Sequence, residues 1–112
     1  MPTTTSSDRG TVILVPFPFS DQSGTKLRPA VIVSPRYPSD DLLVIALTSV
    51  GEVLRPGEFP IRSWREAGLI HPSYAKRAMA SVSGGLARKI LGQLRTDDLA
   101  RLDDALRLWL GL

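Results

Sequence analysis

Along most of this chain, runs of β-branched and aliphatic residues recur. Each is interrupted by proline or glycine before it reaches the length of an ordinary helix. That punctuation restricts the fold more than any other feature. Residues 11–15, Thr-Val-Ile-Leu-Val, are predicted to form a buried strand ended by Pro16 and Pro18. A polar loop follows over residues 20–26, with Gly24 suited to a turn. Residues 29–34, Pro-Ala-Val-Ile-Val-Ser, predict a second strand; Pro29 has no N–H for a ladder and belongs at its first residue or on an edge. Residues 42–47 are apolar throughout and predict a core strand ending at Thr48-Ser49. Residues 58–61 predict a short edge strand, and residues 74–83 another strand stopped by Gly84-Gly85.

Two segments have a different period. Ser63 to Gly68 carries a serine cap and a closing glycine, as a single helical turn requires. Near the end, Thr96 is placed as an N-cap, with Asp97 and Asp98 in the first turn where the helix dipole favours them. Leu99, Leu102, Leu106 and Trp109 follow at helical spacing as one apolar stripe. Several short strands and then one helix imply a mainly β fold, a small barrel with an appended C-terminal helix. A chain of 112 residues fits one domain. We assign residues 10–112 to it and residues 1–9, rich in Thr and Ser, to a flexible tip.

Composition narrows the chemistry. The chain has no cysteine, which removes disulfides, thiolate zinc sites and cysteine nucleophiles and suits a reducing cytosol. The first ten residues lack a signal peptide's charged and apolar regions, and no apolar stretch is long enough to span a bilayer. The expectation is a soluble cytoplasmic protein. There is one histidine, His71, so paired imidazoles from one chain are excluded; beside Pro72 it is placed as a surface loop residue. No HExxH, GxGxxG, Walker A or GxSxG motif occurs, and the scattered acids form no two-metal cluster, so any catalysis is expected to need neither metal nor cofactor. The net charge of +3 is unevenly spread. Residues 54–89 contain Arg55, Arg62, Arg65, Lys76, Arg77, Arg88 and Lys89 against Glu58 and Glu66 alone. Such a surface favours polyanions.

Arg28 stands where a polar loop meets a strand, and Thr48 and Ser49 where the next strand ends. In an antiparallel pair these positions lie close together. A guanidinium offers phosphate a planar fork of donors, and a neighbouring hydroxyl can donate to another phosphoryl oxygen. That pairing suits RNA cleavage in which the substrate's own 2′-hydroxyl attacks the adjacent phosphorus. Position alone also fits Arg28 as a solvated strand-edge residue and Thr48 as a loop cap.

The run from Gly10 through Phe17-Pro18-Phe19, then Arg28-Pro29-Ala30 leading a strand, resembles the opening of the MazF/PemK toxin family. Residues 42–49, Gly68-Leu69 with Pro72-Ser73, and Leu91-Gly-Gln-Leu94 resemble later segments of the same family. The resemblance spans about residue 10 to the C-terminus. It implies an SH3-like β-barrel with a C-terminal helix, usually homodimeric, inhibited by a small MazE-like antitoxin with an acidic tail. It implies metal-independent cleavage of single-stranded RNA, commonly mRNA, at short sequences, leaving a 2′,3′-cyclic phosphate and a 5′-hydroxyl. Arg28 then acts on the scissile phosphate and as acid to the leaving oxygen. Thr48 stabilises the pentacoordinate phosphorus, with Phe19, Lys26, Ser49, Lys76 and Arg77 as RNA contacts. Where the family often carries a polar pair after its basic residue, this chain has Ala78 and Met79. The second reading is a CcdB-like toxin that binds DNA gyrase through a tryptophan-bearing helix tip, with Trp109 in that place. The third is a degenerate toxin kept as a binding protein.

Overall fold

The computed structural model describes residues 9–17, 26–35, 40–51, 53–87 and 89–112. The residues expected to form the N-terminal tip lie outside these up to position 8, as do Phe19 and most of the polar loop. Arg9 is tied down: its Nε donates to the Val33 carbonyl at 3.0 Å and its guanidinium pairs with Asp103.

Among the described residues, six strands make one curled, wholly antiparallel sheet, a half-barrel. They are β1 (Thr11–Phe17), β2 (Lys26–Ile32), β3 (Asp41–Thr48), β4 (Phe59–Pro60), β5 (Tyr74–Ser83) and β6 (Lys89–Gln93). They are ordered β4-β5-β3-β2-β1-β6, and the helix α1 (Thr96–Leu110) follows. Residue alternation splits the strands' apolar residues into two cores. One face, with Val12, Val31, Ile45, Leu47 and Ala75, packs with the fully buried Leu102 of α1; Leu99, Leu106 and Trp109 lie half-buried against it. The expected helical stripe is therefore the face that α1 presents to the sheet. The opposite face gathers Ile13, Val15, Ala30, Ile32, Leu42, Val44, Ala46 and Val82.

Four local expectations need correction. β1 does not stop before Pro16 but runs through it to Phe17. The reason is topological: β6 pairs with β1 only from Thr11 to Leu14, so Pro16 lies where β1 has a neighbour on one side alone and needs no donor on the other. β2 starts at Lys26, not Pro29, by pairing with that extension of β1. Thr96 is not the N-cap. Arg95 holds that position in extended backbone, without a side-chain cap, and the helix begins one residue earlier than its polar signal suggests. β6 was not anticipated as a strand at all. The edge position of β4 and the limits of β5 match the expectation.

Residues 61–69 lead from β4 towards β5 and pack against β6 on the way. Ala67 N–H donates to the Ser63 carbonyl at 3.1 Å, which is the single helical turn expected there. Gly68 closes it at φ +84°, a left-handed conformation that L side chains rarely adopt. A Cβ on Gly68 would lie 1.9 Å from the Leu91 carbonyl oxygen, and one on Gly92 would lie 2.5 Å from that of Ala67. These glycines let the turn press directly on β6. The buried carboxylate of Asp98 holds the same turn to α1 by accepting the N–H groups of Arg62 (3.0 Å) and Ser63 (2.9 Å).

Candidate active site

The pairing of β2 with β3 runs through Ala30↔Ala46, Val31↔Ile45 and Ile32↔Val44 and stops there. Continued two residues further, that register sets Arg28 level with Thr48. Instead the strands part: the first half of β2 stays with β1, while β3 stays with β5 as far as Thr48↔Tyr74. Pro29, which has no N–H, stands in the stretch where β2 has lost its β3 partner. This is the edge position expected of it.

The parting opens a cleft of about 520 Å3. Arg28 and Pro29 line it from β2, Ala46 to Thr48 from β3 with Ser49 and Val50 beyond, and Lys76 and Ala78 from β5. Leu69 to His71 and Ser73 complete the wall. By strand alternation Arg28, Ala30, Ala46 and Thr48 share one sheet face, so the polar cleft continues the second apolar core. The Thr48 hydroxyl accepts the Val50 N–H at 3.1 Å. With that lone pair engaged, its O–H remains a donor.

Lys76 shares the cleft face of β5 with Ala78, Ala80 and Val82 by strand alternation, beside an irregularity of the strand. Ile45 faces Met79 and Leu47 faces Ala75, so Lys76, Arg77 and Ala78 together oppose Ala46 alone. Glu58 fills the backbone disruption. Its Oε2 accepts the Arg77 N–H at 3.0 Å and lies 3.5 Å from Lys76 Nζ, while Oε1 accepts the Arg55 N–H at 2.9 Å. The Glu58 side chain is 2% exposed. Burial raises its carboxyl pKa, but the Arg77 and Arg55 N–H groups and the Lys76 ammonium outweigh this and hold it below its ordinary value of 4.5.

Of the residues singled out by sequence, Arg28, Thr48, Ser49 and Lys76 therefore meet at one cleft. Arg77 does not join them: it is exposed and borders a separate hollow with Met79 and Trp109. Lys26, exposed at the start of β2, is outside the cleft lining, and Phe19 lies outside the described residues. His71 is exposed, as expected of a loop residue, and yet borders the cleft; Ser73 Oγ donates to its carbonyl at 2.8 Å. Glu58, which is outside the cleft lining but touches Lys76, was overlooked. Its signal was present as one of only two acids in the basic span of residues 54–89. Among the described residues, no three His, Asp or Glu side chains come together as a metal site would require. No helix there is long and apolar enough to cross a membrane.

A family profile for PemK-like, MazF-like toxins of type II toxin-antitoxin systems matches residues 8–110. No curated protein sequence matches the chain. Solved structures resemble its fold at low sequence identity. An endoribonuclease from Mycobacterial species aligns over 99% of this chain and 97% of its own, with a TM-score of 0.73 and 16% identity. A second such endoribonuclease, solved in complex with its cognate antitoxin, aligns over 96% and 97%, with a TM-score of 0.71 and 18% identity. MazF from Deinococcus radiodurans aligns over 94% and 96%, with a TM-score of 0.75 and 21% identity. The curled six-stranded sheet with its C-terminal helix is the architecture these structures share, and the profile match covers nearly all of it. The chain belongs to the PemK-like, MazF-like toxin family of type II toxin-antitoxin systems.

Proposed function

We propose that this toxin is a metal-independent endoribonuclease that cuts single-stranded RNA, with Arg28 and Thr48 as its catalytic pair. The observation that carries this reading is the cleft itself, which brings together two residues distant in sequence at the point where β2 leaves β3. RNA contains its own nucleophile. The 2′-hydroxyl gives its proton to water as its oxygen bonds to the adjacent phosphorus, and the P–O5′ bond breaks with its electron pair going to O5′, which takes up a proton. The products are a 2′,3′-cyclic phosphate and a 5′-hydroxyl. Arg28 holds the scissile phosphate through its planar donors and delivers the proton to O5′, and Thr48 donates to a non-bridging oxygen as charge accumulates there. Ser49 and Lys76 extend the cationic and hydroxyl lining along the backbone. Lys26, Phe19 and Arg77 stay in the proposal as outer RNA contacts. Relatives of the same fold that are named endoribonucleases, one bound to its antitoxin, support the nuclease reading. They also support an antitoxin as the regulatory partner, and we propose a cytoplasmic homodimer as the working form.

The gyrase-binding reading finds less support. Trp109 is half-buried against the core, and its indole N–H donates to the Pro56 carbonyl at 2.9 Å, as a packing residue's would. The test uses purified chain, a long single-stranded RNA and EDTA, with Arg28→Ala and Thr48→Ala in parallel. Wild type is expected to give discrete cuts, and each variant to lose about 10²–10³ in rate. A requirement for added magnesium would count against the proposal. Intact RNA together with inhibited gyrase would replace it with the second reading.

A further inference from the structure

We propose that Glu58 is a positioning residue of the cleft, holding the Lys76 ammonium in place as a second phosphate contact beside Arg28. The inference rests on the nuclease reading above. Its ground is the geometry of β5. At an ordinary ladder position one residue of a strand stands opposite one of its neighbour. Here three residues stand against one, and the disrupted backbone is held by a carboxylate that is almost fully out of solvent. Burying a charge is costly unless it is paired and hydrogen-bonded. Glu58 is paired on both oxygens, with Arg55 N–H on one and with Arg77 N–H and Lys76 Nζ on the other. One interaction thus fixes the backbone next to Lys76 and the end of its side chain together.

A free lysine stem loses rotamer entropy when it grips a ligand. The pair with Glu58 removes part of that loss before RNA arrives. An ammonium has three donors, and one directed at Glu58 leaves two for a phosphate. Lys76 is 35% exposed on the side chain and lines the same cleft as Arg28. The two cations come from different strands, with the Thr48 hydroxyl also on the lining. This arrangement fits a backbone held at more than the scissile phosphate.

The test is a double-mutant cycle on Glu58→Gln and Lys76→Ala. It is read by binding of a single-stranded RNA made uncleavable by 2′-O-methyl groups, at several salt concentrations. Lys76→Ala is expected to make the slope of log affinity against log salt shallower by about 0.7, the value for one phosphate contact on a single strand. Glu58→Gln should give the same loss, and the double variant no more than either alone. Additive losses, or a wild-type slope in Glu58→Gln, would overturn the proposal. Glu58→Gln gives up one backbone acceptor, so a second measurement leaves Glu58 in place. A 13C carboxyl titration of Glu58 in Lys76→Ala should move its pKa up from the wild-type value, and no movement would show that the ammonium is not held there. This titration uses no RNA. A wild type that neither binds nor cuts RNA would therefore sink the nuclease reading while the Glu58–Lys76 coupling is still decided separately.

Discussion

Replacing Asp98 by alanine is expected to cost about 2–4 kcal/mol of folding stability, while the same change at Asp104 costs almost nothing. Both aspartates lie on α1, three residues before an arginine they pair with, Arg101 and Arg107. Their surroundings differ. The Asp98 side chain is 0% exposed and accepts two backbone N–H groups from the turn at residues 62–63 as well as the Arg101 guanidinium. The Asp104 side chain is 79% exposed and meets only Arg107, at 3.2 Å. Removing Asp98 leaves two backbone donors and one part-buried cation without their acceptor. Each orphaned donor costs about 1–3 kcal/mol. The lower end applies to Arg62 and Ser63, which water can reach once the carboxylate is gone. The lost partner of Arg101 adds about 1 kcal/mol more. A surface pair such as Asp104–Arg107 contributes at most about 0.5 kcal/mol. For a domain of this length each kcal/mol shifts the midpoint by about 4 °C. Thermal unfolding followed by circular dichroism, at one fixed chain concentration, should therefore show a fall of about 8–16 °C for Asp98→Ala and under about 2 °C for Asp104→Ala. Equal, small shifts in the two variants would refute the reasoning, because the carboxylate buried under the turn would then hold nothing.

Two further outcomes follow from the same geometry. Gly68→Ala combines a φ of +84° with a Cβ placed 1.9 Å from the Leu91 carbonyl oxygen, so the turn must leave β6. A loss above about 2 kcal/mol is expected in urea unfolding, against about 1 kcal/mol for an alanine at Gly111, which is also left-handed at φ +71° but meets nothing within 4 Å. Glu58 has a folded-state pKa below its ordinary 4.5, so the folded state favours the carboxylate. Its stabilising contribution is then fully present above about pH 4.5 and is lost as pH falls through the lower folded value. A urea midpoint series from pH 6 down to pH 2.5 should show a shallower acid decline in Lys76→Ala than in wild type, since the ammonium is one source of the depression.

The strands were legible where local chemistry and burial agree. Residues 42–47 are apolar on both faces because β3 lies between β2 and β5 with a core on each side, and the sequence shows that burial as a run of unbroken aliphatics. The helix stripe was equally plain, since Leu102 and its neighbours keep helical spacing against one core. What was hidden depends on contacts between distant segments. β6 carries Gly92 and no alternating pattern; it is a strand because it lies beside β1 and under the turn at Gly68. Pro16 sits in a strand because a neighbour ends at Leu14, which no local signal reports. For the site, Arg28 and Thr48 were legible from strand order, and Lys76 from the family pattern. Arg77 and Lys76 are adjacent in sequence and both cationic, and the alternation of β5 separates the one in the cleft from the one outside it. Glu58 escaped notice because its partners lie 3 to 19 positions away, two of them backbone groups.

The central claim is that this cleft uses the RNA's own 2′-hydroxyl as nucleophile, with Arg28 and Thr48 stabilising the phosphorus it attacks. The most direct measurement is cleavage of a short RNA, cut by the wild type at one mapped bond, against the same RNA with a single 2′-deoxy sugar on the 5′ side of that bond. A 2′,3′-cyclic phosphate on the product of the first and no cleavage of the second are expected, both in EDTA. Cleavage of the deoxy-substituted strand at the same bond would contradict the claim, because water or a protein group would then be the nucleophile.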